Sequence, residues 1–238
     1  TIFDEGQMKV GRKLGTKLLN ASKFVLSFGT PPDDATATEP LDRAMAARLD
    51  GVVAASSKAL EAYDYAGALE QIESFFWWFC DDYVELVKGR AYGTQGDAAA
   101  HSARAALREA LDIVHRLFAP FLPFVTEEVW SWWRDGSVHR STWPEAQPLT
   151  SIGDVSMLGP VSEVLGAVRR AKTEAKLSQR AAVDELIVDG PATALAAIEA
   201  CRTDLAEAGG IAQFTLSDGD TLLTAVRLAP STDAKVAH

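Results

Sequence analysis

Four long stretches with apolar residues at helical spacing, each bounded by glycine or proline, constrain this chain more than any other feature. With a shorter stretch after Pro123, they fill the first 135 residues. Helices joined by short connections pack as antiparallel neighbours, so the pattern predicts an antiparallel helical bundle. The four long predicted helices cover residues 5–27, 41–62, 65–88 and 97–118.

Aromatic and aliphatic side chains recur at helical spacing along the third predicted helix. They are Ile72, Phe76, Phe79, Tyr83 and Leu86, flanked by Trp77 and Trp78. Such a stripe could line a ligand pocket, but it is more often part of a core. We therefore predict that this helix lies at the centre of the bundle.

A second, smaller unit follows a segment rich in Pro, Gly, Ser and Thr, from Trp143 to Gly153, which is typical of a linker. The predicted elements beyond it are a helix over 154–176, a strand over 185–188, a helix over 193–208, and strands over 213–216 and 222–228. The turn Ser217-Asp218-Gly219-Asp220 favours a hairpin between the last two strands. The fold class is thus mainly α, a bundle domain over 1–145 followed by a small α+β unit over 154–230, with a disordered tail over 231–238.

Composition and the chain start bear on where the protein works. The chain has two separate cysteines, no secretory signal and no long apolar run, which favours a reducing cytosol and argues against secretion and a membrane span. A first residue that is not methionine suggests a piece of a longer protein. We expect a cytoplasmic location and a monomer.

Residues able to support catalysis are scattered. The four histidines are His101, His115, His139 and His238, and they belong to no metal or nucleophile motif. Adjacent acidic residues such as Asp81 and Asp82 point to different sides of a helix. His115 fits a structural or surface role, since no second ligand stands nearby. We predict no catalytic residue and no metal site in a chain that binds rather than reacts.

The first predicted helix separates apolar from cationic residues. Its apolar arc collects Val10, Leu14, Leu18, Ala21 and Val25. Its opposite arc collects Lys9, Arg12, Lys13, Lys17, Asn20 and Lys23, with Phe24 beside them. A net charge of −10 argues against a nucleic-acid partner, yet these cations could hold phosphates while the ring stacks on a base. The alternative is a solvated basic helix whose Phe24 packs against a neighbouring loop.

A second cationic stripe lies on the helix that opens the α+β unit. It consists of Arg169, Lys172 and Lys176, opposite an apolar side formed by Val161, Val164, Val168, Ala171 and Ala175. A solvent-exposed face is the default interpretation, and secondary RNA contacts are the functional one.

Four motifs resemble, in order, those of the anticodon-binding domain of valyl-tRNA synthetases, a family of class I aminoacyl-tRNA synthetases. They are residues 9–25, 79–88, 119–130 and 137–144. The resemblance implies the helical bundle of class Ia synthetases. In that family the Arg/Lys-Phe pair ending the first motif touches the anticodon bases, which implies this role for Lys23 and Phe24. Arg12, Lys17 and Asn20 line the same face, and Glu85 and Lys88 are implied neighbours.

The resemblance also implies the partners, which are the anticodon stem-loop of the valine tRNA and the remainder of the synthetase chain. The nucleotide-binding motifs of the catalytic part are absent from this sequence. We therefore expect no cofactor here, with ATP and Mg²⁺ bound by the catalytic domain, and no aminoacylation by this chain alone. Two alternatives stay open: the equivalent domain of isoleucyl-tRNA synthetase, and a helical protein-interaction module without RNA binding.

Overall fold

A computed structural model describes residues 5–146 and 153–230, apart from the side chains of Glu5 and Gln7. Its first part is an antiparallel helical bundle, as predicted. The bundle helices are α1 (Glu5–Leu26), α2 (Pro40–Glu61), α3 (Tyr65–Trp78), α4 (Val84–Tyr92), α5 (Asp97–Phe118) and α6 (Pro123–Trp130). Helices α2 and α6 each begin at a proline. A glycine with positive φ ends α4, and another precedes α5.

The third predicted helix is interrupted by a π-helical turn, Phe79–Tyr83, and continues to Tyr92. The predicted apolar stripe is buried along it, so this helix is central, as expected. The rings of Phe75, Phe79 and Tyr83 stack in succession, with centroids 5.9 and 5.6 Å apart. The additional residue of a π turn rotates the chain beyond it by about 100° relative to an uninterrupted α-helix.

The α+β unit places three helices on one side of a three-stranded sheet. Its elements are α7 (Leu158–Glu174), β1 (Val183–Gly190), α8 (Ala192–Ala200), α9 (Arg202–Gly209), β2 (Ile211–Asp218) and β3 (Leu223–Leu228). The predicted helix over 193–208 is two helices, because Cys201 leaves helical geometry at φ −111° and ψ 14°. Ala175 was predicted on the apolar side of α7 but is exposed, since α7 ends before it.

The predicted hairpin between the last two strands is wrong. The strand order is β2-β1-β3, with β1 parallel to β2 and antiparallel to β3. The turn after β2 crosses the end of β1, where the Gly219 amide donates to the Gly190 carbonyl at 2.9 Å. A Cβ on Gly190 would lie 3.0 Å from the Leu222 side chain, so glycine permits this close crossing. The last strand therefore pairs with the far edge of β1.

One hydrophobic core extends through both units, from Leu14 in α1 to Ile211 in β2. A buried ionic cluster, Asp42, Arg90 and Asp204, lies within it. Arg90 on α4 donates to both Asp42 oxygens at 2.8 and 2.9 Å, and through Nε to Asp204 at 2.9 and 3.0 Å. Tyr83 and Ser102 also donate to Asp42, at 2.8 and 2.6 Å. The cluster and its two hydroxyl donors connect α2, the π turn, α4 and α5 to α9.

Two predicted segments lie wholly or partly outside the described residues. The predicted linker falls mostly on 147–152, and the predicted tail is 231–238. Within the described ranges, none of the helices is long and apolar enough to cross a membrane.

Candidate nucleic-acid interface

The apolar side of α1 packs into the bundle through Leu14, Leu18 and Val25, all nearly inaccessible to solvent. Val10 was predicted on this side but is 49% exposed. The apolar pattern of α1 thus begins one turn before the buried part of the helix, which begins at Leu14.

The opposite side of α1 is exposed. We define the cationic face of α1 as its exposed residues on that side: Lys9, Arg12, Lys13, Asn20 and Lys23. None of the four cations in it forms a salt bridge with any described residue. The described side chains therefore leave the charge of these four cations uncompensated.

Lys17 differs from the other cations of α1. Its ammonium forms a salt bridge with Asp81 in the π turn, and it lies 5.3 Å from the centroid of a Trp77 ring. The side chain is partly buried in this contact. Lys17 therefore connects α1 to the π turn, beside the cationic face.

Phe24 is half-buried against the core at the end of the cationic face. Its ring makes a T-shaped contact with Phe28, in the loop after α1, at a centroid distance of 5.0 Å. This contact matches the alternative considered for Phe24, in which the ring packs against a neighbouring loop. Part of the ring stays accessible, so the contact leaves stacking possible.

Glu85 and Lys88 from α4 lie beside this end of α1, as the resemblance implied. The Lys88 ammonium lies 5.9 Å from the centroid of the Phe24 ring and 3.6 Å from the Glu85 carboxylate. Both side chains are about half exposed. The structure therefore brings Phe24 and Lys88 together.

Tyr92, which the sequence patterns did not single out, belongs to the same region. Its ring centroid is 5.1 Å from Phe28 and 6.3 Å from Phe24. The available signal was its position four residues after Lys88 and directly before Gly93, which places it near Lys88 on the last turn of a helix.

The second cationic stripe does not form one surface. Lys172 is buried, and its ammonium donates to the carbonyls of Gly209 at 2.7 Å and Gln179 at 2.9 Å. Burial lowers the pKa of this ammonium. Lys172 caps the carbonyl at the C-terminal end of α9, so the prediction of a solvent or RNA contact is wrong for it. Arg169 forms a salt bridge with Asp82 at 2.9 Å, and Lys176 is exposed just past α7.

The interior residues capable of chemistry are held in unreactive forms. Burial raises the pKa of Cys80 and Cys201 to about 12, so neither thiol ionises readily. Burial lowers the pKa of His115 to about 4, which keeps the ring neutral at pH 7. Among the described residues, no cluster of three or more His, Cys, Asp or Glu side chains could hold a metal ion.

The described part of the bundle thus presents an exposed cationic face beside the partly buried Phe24 ring. A family model described as the anticodon-binding domain of tRNA ligase matches residues 42–187, more than half of the chain. The chain belongs to this family. The match begins in α2 and ends in β1, so α1 precedes it.

Valine–tRNA ligases are among the relatives of this chain. The chain is 52% identical to that of Thermobifida fusca over 239 residues, which cover 97% of this chain and 27% of the relative. It is 50% identical to that of Salinispora tropica over 246 residues, covering 94% and 28%. It is 40% identical to that of Bifidobacterium longum over 260 residues, covering 98% and 28%. The chain thus spans little more than a quarter of the length of these relatives.

Proposed function

We propose that this chain is the anticodon-binding part of a valine–tRNA ligase, and that the cationic face of α1 binds the anticodon stem-loop of the valine tRNA. The observation that carries the proposal is the exposed positive charge on this face, which forms no salt bridge with any described residue, in a chain whose net charge is −10. Binding to a phosphate backbone requires such a local positive surface, whatever the average charge.

Each part of the proposed surface has a distinct task. Lys9, Arg12, Lys13 and Lys23 neutralise phosphates of the stem-loop. The Asn20 amide offers both a donor and an acceptor to a base edge. Phe24 offers the accessible part of its ring to an unpaired base, and Lys88 adds positive charge next to it.

The remaining chemistry of the proposed enzyme belongs to parts of the protein beyond this chain. ATP, Mg²⁺ and valine would bind to the catalytic part, and this chain would hold no cofactor and catalyse nothing alone. We place the protein in the cytoplasm and expect a monomer. Similarity to valine–tRNA ligases favours the valine tRNA over the isoleucine tRNA. Exposed cations that form no salt bridge within the described part of the chain favour RNA binding over a protein-interaction module.

Fluorescence anisotropy with labelled valine and isoleucine anticodon stem-loops, at about 50 and about 200 mM salt, tests the proposal. We expect tighter binding to the valine stem-loop, and a steep loss of affinity with salt of about 0.7–0.9 log units per log unit of salt for each phosphate neutralised. Lys23→Glu should weaken binding and reduce that slope by about 1.

Lys58→Glu is the matched control, because Lys58 is an exposed residue on α2 and its substitution changes the charge by the same amount. Equal effects of the two variants would place the RNA elsewhere on the molecule. Absence of salt-dependent binding by the parent chain would refute the proposed function.

A further inference from the structure

Tyr92 is unusually exposed for a residue that takes part in an aromatic cluster. It is the last residue of α4, and Gly93 follows it at a positive φ of 90° as the left-handed helix cap. Its side chain is 62% exposed, and its hydroxyl makes no hydrogen bond with any described residue. Exposure of a large ring next to other apolar rings is a feature of binding surfaces.

We define the aromatic cluster as Phe24, Phe28 and Tyr92. The three rings contact one another at steep interplanar angles of 89°, 73° and 70°. Such T-shaped contacts join the edge of one ring to the face of another. Phe24 and Phe28 are half-buried and connect the cluster to the core, so Tyr92 is its outermost ring. Contact with two supported rings restricts the orientation of Tyr92 before any ligand binds.

Cations lie on two sides of the aromatic cluster. The Lys88 ammonium is 5.9 Å from the Phe24 ring, and the Arg104 guanidinium is 5.6 Å from the Phe28 ring. Arg104 is fixed in place because its Nε donates to the Ala91 carbonyl at 2.9 Å. The Lys88 ammonium also lies 3.6 Å from the Glu85 carboxylate. An exposed ring whose two neighbouring rings each contact a cation suits a nucleotide, which carries a flat base and a negative phosphate.

Two other exposed tyrosines show that exposure alone does not create this arrangement. Tyr63 and Tyr65, at the α2–α3 turn, are 79% and 58% exposed. Neither makes an aromatic or cation–π contact within the described part of the chain. Tyr92 is therefore distinguished by its supported ring and its cationic surroundings.

We infer that Tyr92 stacks against an unpaired base of the bound RNA and forms the outer platform of the aromatic cluster, with Phe24 supporting it from the protein side. The inference rests on the proposed function and extends it, because it assigns a stacking residue on α4 to a surface otherwise built by α1. The Lys88 and Arg104 cations contribute to binding by holding the phosphates that flank the stacked base.

Anisotropy titrations at fixed salt with the valine anticodon stem-loop test this inference. Tyr92→Leu should weaken binding about 5- to 100-fold, the range for one stacked base. Tyr92→Phe should bind within about twofold of the parent, and Tyr92→Trp at least as tightly, since stacking requires the ring and not the hydroxyl. The salt slope of Tyr92→Leu should equal that of the parent, because no charge is removed.

Tyr65→Leu is the matched control, since this tyrosine has similar exposure and no ring partner, and it should bind like the parent. Parent-like affinity of Tyr92→Leu, together with weak binding by Lys23→Glu, would overturn the inference and leave the proposed function intact. Equal weakening by Tyr92→Leu and Tyr92→Phe would also overturn it, because the hydroxyl would then be the binding group. If the parent chain fails to bind the stem-loop, the proposed function itself fails.

Discussion

His115 is a residue whose environment determines how the protein responds to acid. It is fully buried on α5, and its Nε2 lies 3.2 Å from the Ser22 hydroxyl on α1. That hydroxyl also donates to the Leu18 carbonyl at 2.7 Å. His115 therefore contacts Ser22 of α1 as a neutral ring buried on α5.

The lowered pKa of His115 predicts acid sensitivity. Unfolded chains take up the proton near pH 6.5, whereas the folded protein does so only near pH 4. Unfolding thus gains a proton between these values, and the free energy of unfolding should fall as pH decreases through this window, by up to about 3 kcal/mol. Urea titrations at several pH values measure it.

His115→Gln should flatten the pH dependence between pH 6.5 and pH 4, because the residue that titrates has been removed. His101→Gln, at a partly exposed position of the same helix, is the control. Parallel curves for His115→Gln and the parent would contradict the prediction.

Single residues also show where sequence patterns stop being informative. The spacing on α1 predicted four of its five cations in solvent, because a helix with one buried side must expose the other, but Lys17 is partly buried in its salt bridge with Asp81. The same reasoning failed for Lys172, which is buried and donates a hydrogen bond to the Gly209 carbonyl, 37 positions away. Tyr92 was missed for a similar reason, since its ring partners come from α1 and the following loop.

Arg90 on α4 connects α2 to α9 through two buried salt bridges. Its guanidinium is buried between Asp42 on α2 and Asp204 on α9 and satisfies both carboxylates. Arg90→Met should destabilise the protein by about 3–5 kcal/mol, because two buried carboxylates lose their counter-charge. Chemical denaturation measures the loss.

Arg202→Met is the contrasting variant. Arg202 forms a salt bridge with Glu199 at 2.6 Å, but both side chains are largely exposed. Such surface pairs contribute about 0–1 kcal/mol. A similar loss in both variants would show that burial of the ionic cluster does not set its contribution.

Element limits were predictable wherever local chemistry sets them. The predicted range 97–118 equals α5, since Gly96 precedes that helix and Pro120 follows it closely. The π turn, the break at Cys201 and the order of the strands were not predictable. Each depends on contacts distant in sequence, such as the two edges that β1 offers to β2 and β3.

The whole molecule should unfold as one unit, because its core and its ionic cluster extend through both the bundle and the sheet. All six tryptophans belong to residues 1–145, so their fluorescence reports on the bundle. Hydrogen exchange at Leu186 and Val188, in the central strand, reports on the α+β unit. The two free energies of unfolding should agree; a clearly lower value at the strand amides would show two independent units.

The sequence separation between Arg90 and Asp204 also affects the chain during its synthesis. Asp204 leaves the ribosome 114 residues after Arg90, a delay of roughly 6 to 23 seconds at about 5–20 residues per second. During that interval the nascent helices hold a guanidinium with one of its two acids, and the apolar side of α7 has no sheet to cover it. A chain truncated before residue 204 stays in this state, which makes it a target for chaperones and proteases.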